Sequence, residues 1–146
     1  MTEKEQIQEY LAQANRNRLV FCHDRLQDLF FTNVGRTLSD LLSNESLRSS
    51  MVAYAAEDAL NEILSLTQED DMIGTYVAMD NIGILFEPEL GFNLKSILDS
   101  ASTNKTIIIC SDGMIKSDCF YFLQEGDNDW IDLKGLSYIE LKQNNI

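Results

Sequence analysis

Basic residues are scarce in this chain. Its 146 residues include 24 Asp and Glu but only 11 Lys and Arg, for a formal net charge of −13. Each nucleic-acid phosphate has to be met by Lys or Arg, so this balance argues against direct binding to DNA or RNA. It fits a solvated acidic surface that keeps a protein soluble, and it leaves two sharper readings: docking onto a basic partner subunit, or mimicry of DNA. Cysteine is also sparse. Cys22, Cys110 and Cys119 are odd in number and far apart, which suits a reducing compartment better than a disulfide framework. No apolar run approaches the roughly 18 residues that span a membrane. The first residues, Met-Thr-Glu-Lys-Glu-Gln, lack the basic-then-apolar order of a signal peptide. These absences predict a cytoplasmic protein with no membrane contact.

What is present suffices for one globular domain. With 45% hydrophobic and 24% charged residues, a chain of this length buries roughly two-thirds of the surface its unfolded form exposes. The central feature is Thr75-Tyr-Val-Ala-Met-Asp-Asn-Ile-Gly-Ile-Leu-Phe-Glu-Pro-Glu-Leu90. An apolar run of strand length reaches a carboxylate at Asp80, and a second apolar set, Ile82, Ile84, Leu85 and Phe86, is stopped by Pro88. A strand buried on both faces reads this way, with its acidic residue at the carboxyl end, where open α/β sheets keep their ligands. In a P-loop fold it would be the Walker B strand, whose Asp holds magnesium through its bound water.

Around that strand the chain predicts alternating helices and strands. Thr2 and Glu5 form a capping-box pattern ahead of Ile7, Tyr10, Leu11 and Ala14, predicting an N-terminal helix over residues 1–16. Strands are expected at 18–22 and 29–33, separated by the polar link His23-Asp-Arg-Leu-Gln-Asp28. Val34-Gly35-Arg36 turns into a segment with Leu38, Leu41 and Leu42 on one face. The longest helix should cover 47–66, with Met51, Val52, Ala55, Ala59, Leu60, Ile63 and Leu64 at the helical period. Residues 68–71 read as a charged loop and 72–80 as a strand. Asn93 can cap a helix that buries Leu94, Ile97, Leu98 and Ala101. Strands follow at 106–110, 118–123 and 136–141, the last two separated by an acidic loop with Asp127, Asp129 and Trp130. The order implies a three-layer α/β domain: a mostly parallel, P-loop-NTPase-like sheet flanked by helices, with antiparallel strands at its C-terminal edge.

The phosphate-binding half of a nucleotide site is missing. A Walker A loop needs glycines so that backbone N–H groups can wrap phosphate, then Lys and Ser or Thr at a helix start. Its place after the first strand holds His23, Asp24, Arg25, Leu26, Gln27 and Asp28, with no Gly, no Lys and two carboxylates. Val34-Gly35-Arg36-Thr37 is the nearest approach elsewhere, and it has a single glycine. Hydrolysis of nucleotides by this chain alone is therefore not expected, and neither Mg nor ATP is expected as a cofactor.

The run Met79-Asp-Asn-Ile-Gly-Ile-Leu-Phe-Glu-Pro-Glu-Leu90 resembles the Leu-Asp-Asn-Ile-Glu-Ile-Leu-Phe-Asp-Pro-Glu-Leu motif of BrxF-type proteins, small P-loop proteins of bacteriophage-exclusion (BREX) defence systems. Asn33-Val-Gly-Arg-Thr-Leu-Ser-Asp-Leu-Leu42 is similar to that family's Asn-Val-Gly-x-x-Leu-Ser-x-x-Leu segment. Residues 98–109, with Ser102, Asn104 and Thr106, resemble its helix and Ser-Arg-Asn-Arg-Thr strand start, and Phe120-Tyr-Phe with Glu125-Gly126 resembles its ending. The likeness spans residues 18–141. Two departures stand out: the family's Gly-rich loop and following helix are absent between Cys22 and Leu29, and its basic position after the fourth-strand helix is Thr103 here. The resemblance implies a pseudo-NTPase that keeps the scaffold and a Walker B-like Asp80 and Asn81. Its job would be to bind protein subunits of a defence complex as a hetero-oligomer. Candidate partners are an intact NTPase and the nuclease, methyltransferase or phosphatase-like components of such a locus.

Further candidates follow from the residues themselves. A vestigial pocket is expected from His23, Asp24 and Asp112, and in the first alternative reading Asp80 and Asp112 line it and make the chain a nucleotide or magnesium sensor. The second alternative is an acidic inhibitor that mimics DNA. Phe86, Glu87, Glu89 and Trp130 are candidates for a partner-binding surface. Cys22, His23, Cys110 and Cys119 could supply zinc ligands only if the strand ends converge, and their spacing matches no zinc pattern. A Cys-His-Asp nucleophile is disfavoured because neighbouring residues on a strand, such as Cys22 and His23, point to opposite faces. Asp70-Asp71 and Asp127 with Asp129 read as solvated loop charge, since no calcium-loop pattern surrounds them.

Overall fold

The structure is a computed structural model that describes residues 1–43, 49–122 and 129–141. Strands β1 (Leu19–Cys22), β2 (Phe31–Asn33), β4 (Gly74–Asp80), β5 (Thr106–Cys110) and β9 (Tyr138–Glu140) form the central sheet that organises the fold. Their order is β2-β4-β5-β1-β9, all paired in parallel. β1 and β5 are buried along their whole length. That is why Leu19-Val-Phe-Cys22 and Thr106-Ile-Ile-Ile-Cys110 are unbroken apolar runs: a central parallel strand has no solvent face to alternate with. Each fully buried isoleucine of β5 contributes roughly 1.5–3 kcal/mol by leaving water.

Helices cover both faces. On one face, Leu19, Phe21, Val77, Met79, Ile107 and Ile109 pack against α2 (Val34–Ser43), α3 (Ser49–Leu64) and α4 (Leu94–Ala101). On the other, Val20, Cys22, Tyr76, Ala78, Ile108 and Cys110 meet Ile7 of α1 (Glu3–Leu11) together with Leu26. The expected three layers are present, and α1 is the helix that covers the face opposite α2, α3 and α4. Its start follows the capping prediction, with the Thr2 hydroxyl accepting from the Glu5 N–H at 3.1 Å. It ends at Leu11 rather than near residue 16, and Ala14 turns the chain at φ 55°. Asn93 caps α4 as expected, accepting from the Ser96 N–H.

Parallel neighbours normally need a crossover of a dozen or more residues. Here residues 23–30 lead from β1 to β2 with no helix, past two intervening strands. The register explains how. β2 pairs only with the upper end of β4, Phe31 opposite Ala78 and Asn33 opposite Asp80, so the chain never has to return to the bottom of the sheet. The lower half of the same β4 edge is taken by β3 (Gln68–Asp70), antiparallel to β4 with Gln68 opposite Tyr76. The expected charged loop at 68–71 is therefore mostly a strand. Asp70 is not solvated loop charge either: it pairs with Lys4 at 2.8 Å and accepts from the N–H groups of Met72 and Ile73.

The C-terminal third supplies the expected antiparallel strands. β6 (Met114–Lys116), β7 (Cys119–Tyr121) and β8 (Trp130–Asp132) form a separate antiparallel sheet. Trp130 thus sits on a strand rather than in a loop, and β6 had no sequence signal assigned to it. The β6–β7 turn is made by Ser117 and Asp118, both at positive φ, a twist that suits a two-residue hairpin. Phe120 stacks on Phe21 at 5.2 Å and fastens this small sheet to the core. β9 then joins the main sheet beside β1, parallel to it. Asp127, Glu125 and Gly126 lie outside the described residues.

Candidate functional site

The carboxyl end of the sheet gathers most of the expected site. β4 ends at Asp80, which is only 8% exposed. Asn81 follows in the left-handed region at φ 48° and breaks the strand; residues Ile82–Phe86 and Pro88–Leu90 are short 3-10 turns rather than a continued extended run. The Asn81 carbonyl accepts from the Gly35 N–H at 3.0 Å, and its side chain donates to the Asn33 Oδ1 at 2.8 Å. The same Asn33 oxygen accepts from the Arg36 N–H at 2.9 Å. A Cβ on Gly35 would lie 2.6 Å from the Asn81 amide nitrogen and 3.3 Å from its carbonyl oxygen, so any larger residue here would force Asn81 to shift. These contacts fasten the start of α2 to the end of β4. They also occupy N–H groups that a helix N-terminus would otherwise turn toward an anion.

Asp80 has a protein partner. One carboxylate oxygen is ion-paired with the Arg25 guanidinium, which also lies over the Phe31 ring at 6.0 Å. The other oxygen, Oδ1, is buried with no hydrogen-bond partner among the described residues. Arg25 reaches Asp80 because Leu26, next to it, is buried against the sheet and the Phe30 N–H donates to the Tyr76 hydroxyl at 2.9 Å. The link between β1 and β2 is thus folded down over the top of β4. The role of Arg25 had no motif to mark it; the one sign in the sequence is that it is the only Lys or Arg between Cys22 and Phe31.

Beside this pair lies an open cavity of about 290 Å³, lined by His23, Asn81, Ile82, Cys110, Ser111, Asp112 and Phe122. It brings together His23 and Asp112 of the expected vestigial pocket. Asp24 is exposed and not part of the lining. His23 Nε2 faces Glu140 Oε2 of β9 at 3.3 Å. Cys22 and Cys110 are directly opposite one another on β1 and β5, whereas Cys119 sits on β7 of the small sheet. Among the described residues no three His, Cys, Asp or Glu side chains converge in a metal-holding group. No described helix is long and apolar enough to cross a membrane.

The partner-surface candidates also come together, in a different place. Phe86, Glu87 and Trp130 line an open groove of about 470 Å³ with Phe92, Leu94 and the Lys95–Asp132 ion pair, 3.0 Å long. Glu89 is exposed but outside that lining. Phe86 is held by stacking on Phe122 at 5.1 Å, while Trp130 leaves 48% of its surface in solvent. Through Gly91, Phe92 and Asn93 the groove continues into a hollow of about 210 Å³ bordered by Tyr54 and Glu57. Tyr54, which sequence reasoning did not single out, is 76% exposed at this border. No protein-family model, no curated protein and no solved structure matches the chain.

Proposed function

We propose that this chain is a non-catalytic, P-loop-like subunit of a cytoplasmic anti-phage defence assembly of the bacteriophage-exclusion type, working by binding protein partners in a hetero-oligomer. The observation that carries the reading is the ion pair between Arg25 and Asp80. In a working P-loop site the strand-end carboxylate serves magnesium and the preceding loop serves phosphate. Here the shortened loop delivers a cation of its own to that carboxylate, which supports a scaffold role over a hydrolytic one. The groove between the turn at Phe86 and β8 is the surface proposed for a partner, with Trp130 as its aromatic anchor and Glu87 favouring a basic segment.

A second reading has one observation in its favour. The unpartnered Asp80 Oδ1 would suit a chain that senses magnesium or a nucleotide when Arg25 moves aside. Two experiments separate the readings. Affinity-tagged protein recovered from its native host should carry other defence components with it, and Trp130→Ala should lose them; recovery alone would remove the basis of the proposal. Calorimetric titration with ATP and magnesium should give no binding heat. Measurable binding abolished by Asp80→Ala would establish the sensor instead.

A further inference from the structure

Cys22 and Cys110 are Cα partners on adjacent parallel strands. Registered residues on neighbouring strands project their side chains to the same face, and both cysteines belong to the cluster beneath α1. Strand neighbours lie about 4.7–4.9 Å apart, inside the roughly 4.4–6.8 Å Cα range that a disulfide tolerates. The Cys110 thiol donates to the His23 carbonyl oxygen, with 3.6 Å between sulfur and oxygen.

The two are not equivalent. Cys110 lines the 290 Å³ cavity and is 9% exposed, whereas Cys22 lies behind it at 3%. The neighbouring Cys110, and then burial, push the Cys22 thiol well above its ordinary range, while the neighbouring Cys22 lowers that of Cys110. An accessible thiol backed by a second one is the arrangement of an attacking and a resolving cysteine.

We propose that Cys110 and Cys22 form a peroxide-reactive dithiol, in which hydrogen peroxide entering the cavity oxidises Cys110 and Cys22 resolves it to a disulfide. Cys110 gives its proton to solvent, and its sulfur attacks one peroxide oxygen. The S–O bond forms, the O–O bond breaks and the departing hydroxide takes up a proton as water. The Cys22 sulfur then attacks the Cys110 sulfenic acid. The S–S bond forms, the S–O bond breaks, and the Cys22 proton leaves with the hydroxyl as a second water. Two thiols are oxidised and one peroxide is reduced to two waters. The disulfide would lock β1 to β5 at the point where the link bearing Arg25 leaves the sheet.

The test treats the reduced, full-length protein with hydrogen peroxide and maps its cysteines by mass spectrometry after alkylation. A Cys22–Cys110 linkage is expected, with Cys119 still free to alkylate. Cys22→Ser should stop at one added oxygen on Cys110, trapped by dimedone. Cys110→Ser should slow thiol loss at position 22 by about tenfold or more, since the more accessible thiol is gone. The proposal is overturned if Cys119 is consumed while Cys22 and Cys110 both remain alkylatable, or if the linkage forms only after denaturation. The linkage map of the unsubstituted chain decides the matter even if either variant fails to fold.

Discussion

The Arg25 guanidinium is ion-paired with the Asp80 carboxylate across 55 residues of sequence, joining the link after β1 to the last residue of β4. The pairing is asymmetric: the Arg25 side chain is 62% exposed and that of Asp80 only 11%. Its energetic value therefore lies mainly in not leaving a buried carboxylate alone.

Arg25→Ala should destabilise the fold by about 1–2 kcal/mol, below the figure for a fully buried pair because solvent screens the arginine. Asp80→Asn should cost less, since Arg25 then simply returns to water. The double variant should be more stable than the sum of the two losses predicts. Urea unfolding of the four proteins measures this, and strict additivity would mean that the pair is not formed.

Much of this architecture is legible in the residues. Continuous apolar runs mark β1, β4 and β5, and the helical period marks α3, because burial on both faces and burial on one stripe leave different patterns. Asp80 could be placed at a strand end for the same reason. β3 could not: Gln68-Glu-Asp70 has no apolar residue, and its pairing is created by an edge of β4 that the short β2 leaves open. The direction of β9 was equally hidden, since Tyr138-Ile-Glu140 reads the same in a parallel or an antiparallel ladder. The Arg25–Asp80 contact depends on that tertiary arrangement and has no local pattern at all.

Gly35→Ala should lower stability by about 1–3 kcal/mol, the range for overpacking a close contact. The added methyl meets the Asn81 side chain at 2.6 Å and its carbonyl oxygen at 3.3 Å. Asn81→Gly keeps the left-handed backbone at φ 48° available while deleting the side-chain clash. Combining it with Gly35→Ala should recover part of the loss, and only part, because the carbonyl contact persists. Thermal melts of the single and double variants provide the comparison.

Tyr10 predicts an alkaline limit. Its hydroxyl donates to the Asn17 carbonyl at 2.7 Å within a buried environment, and burial raises the phenol to about 12. A folded pKa raised above the unfolded value near 10 means that the neutral phenol stabilises the protein fully below pH 10. That contribution is lost as pH rises from there through about 12. Tyr10→Phe should cost about 1 kcal/mol at neutral pH for the missing hydrogen bond. It should also flatten the decline in unfolding free energy between those two pH values, a slope that denaturant titrations at stepped pH would read directly.

Asn17 is the hub on which three elements meet. Its side chain is fully buried and donates to the Asp99 backbone carbonyl at 3.2 Å, the Asp99 carboxylate at 2.9 Å and the Ser102 hydroxyl at 3.1 Å. Its own Oδ1 accepts from the Ser137 N–H at 3.0 Å, and its backbone carbonyl takes the Tyr10 hydroxyl. It thus ties the approach to β1 to α1, to the end of α4 and to the approach to β9. Asn17→Ala leaves the half-buried Ser137 N–H without its acceptor and removes the anchor of α4, so a loss of about 2–4 kcal/mol is expected. Asn17→Asp should do no better at neutral pH, because it swaps the donor for a second carboxylate against Asp99. A local readout separates this from general loosening. The hydrogen bond from Asn17, followed by that from Arg16, holds the Asp99 carboxyl below its ordinary range. In Asn17→Ala an NMR titration of Asp99 should therefore move upward toward the usual aspartate value, while Asp132, held low by the Lys134 N–H and then Lys95, should stay where it is.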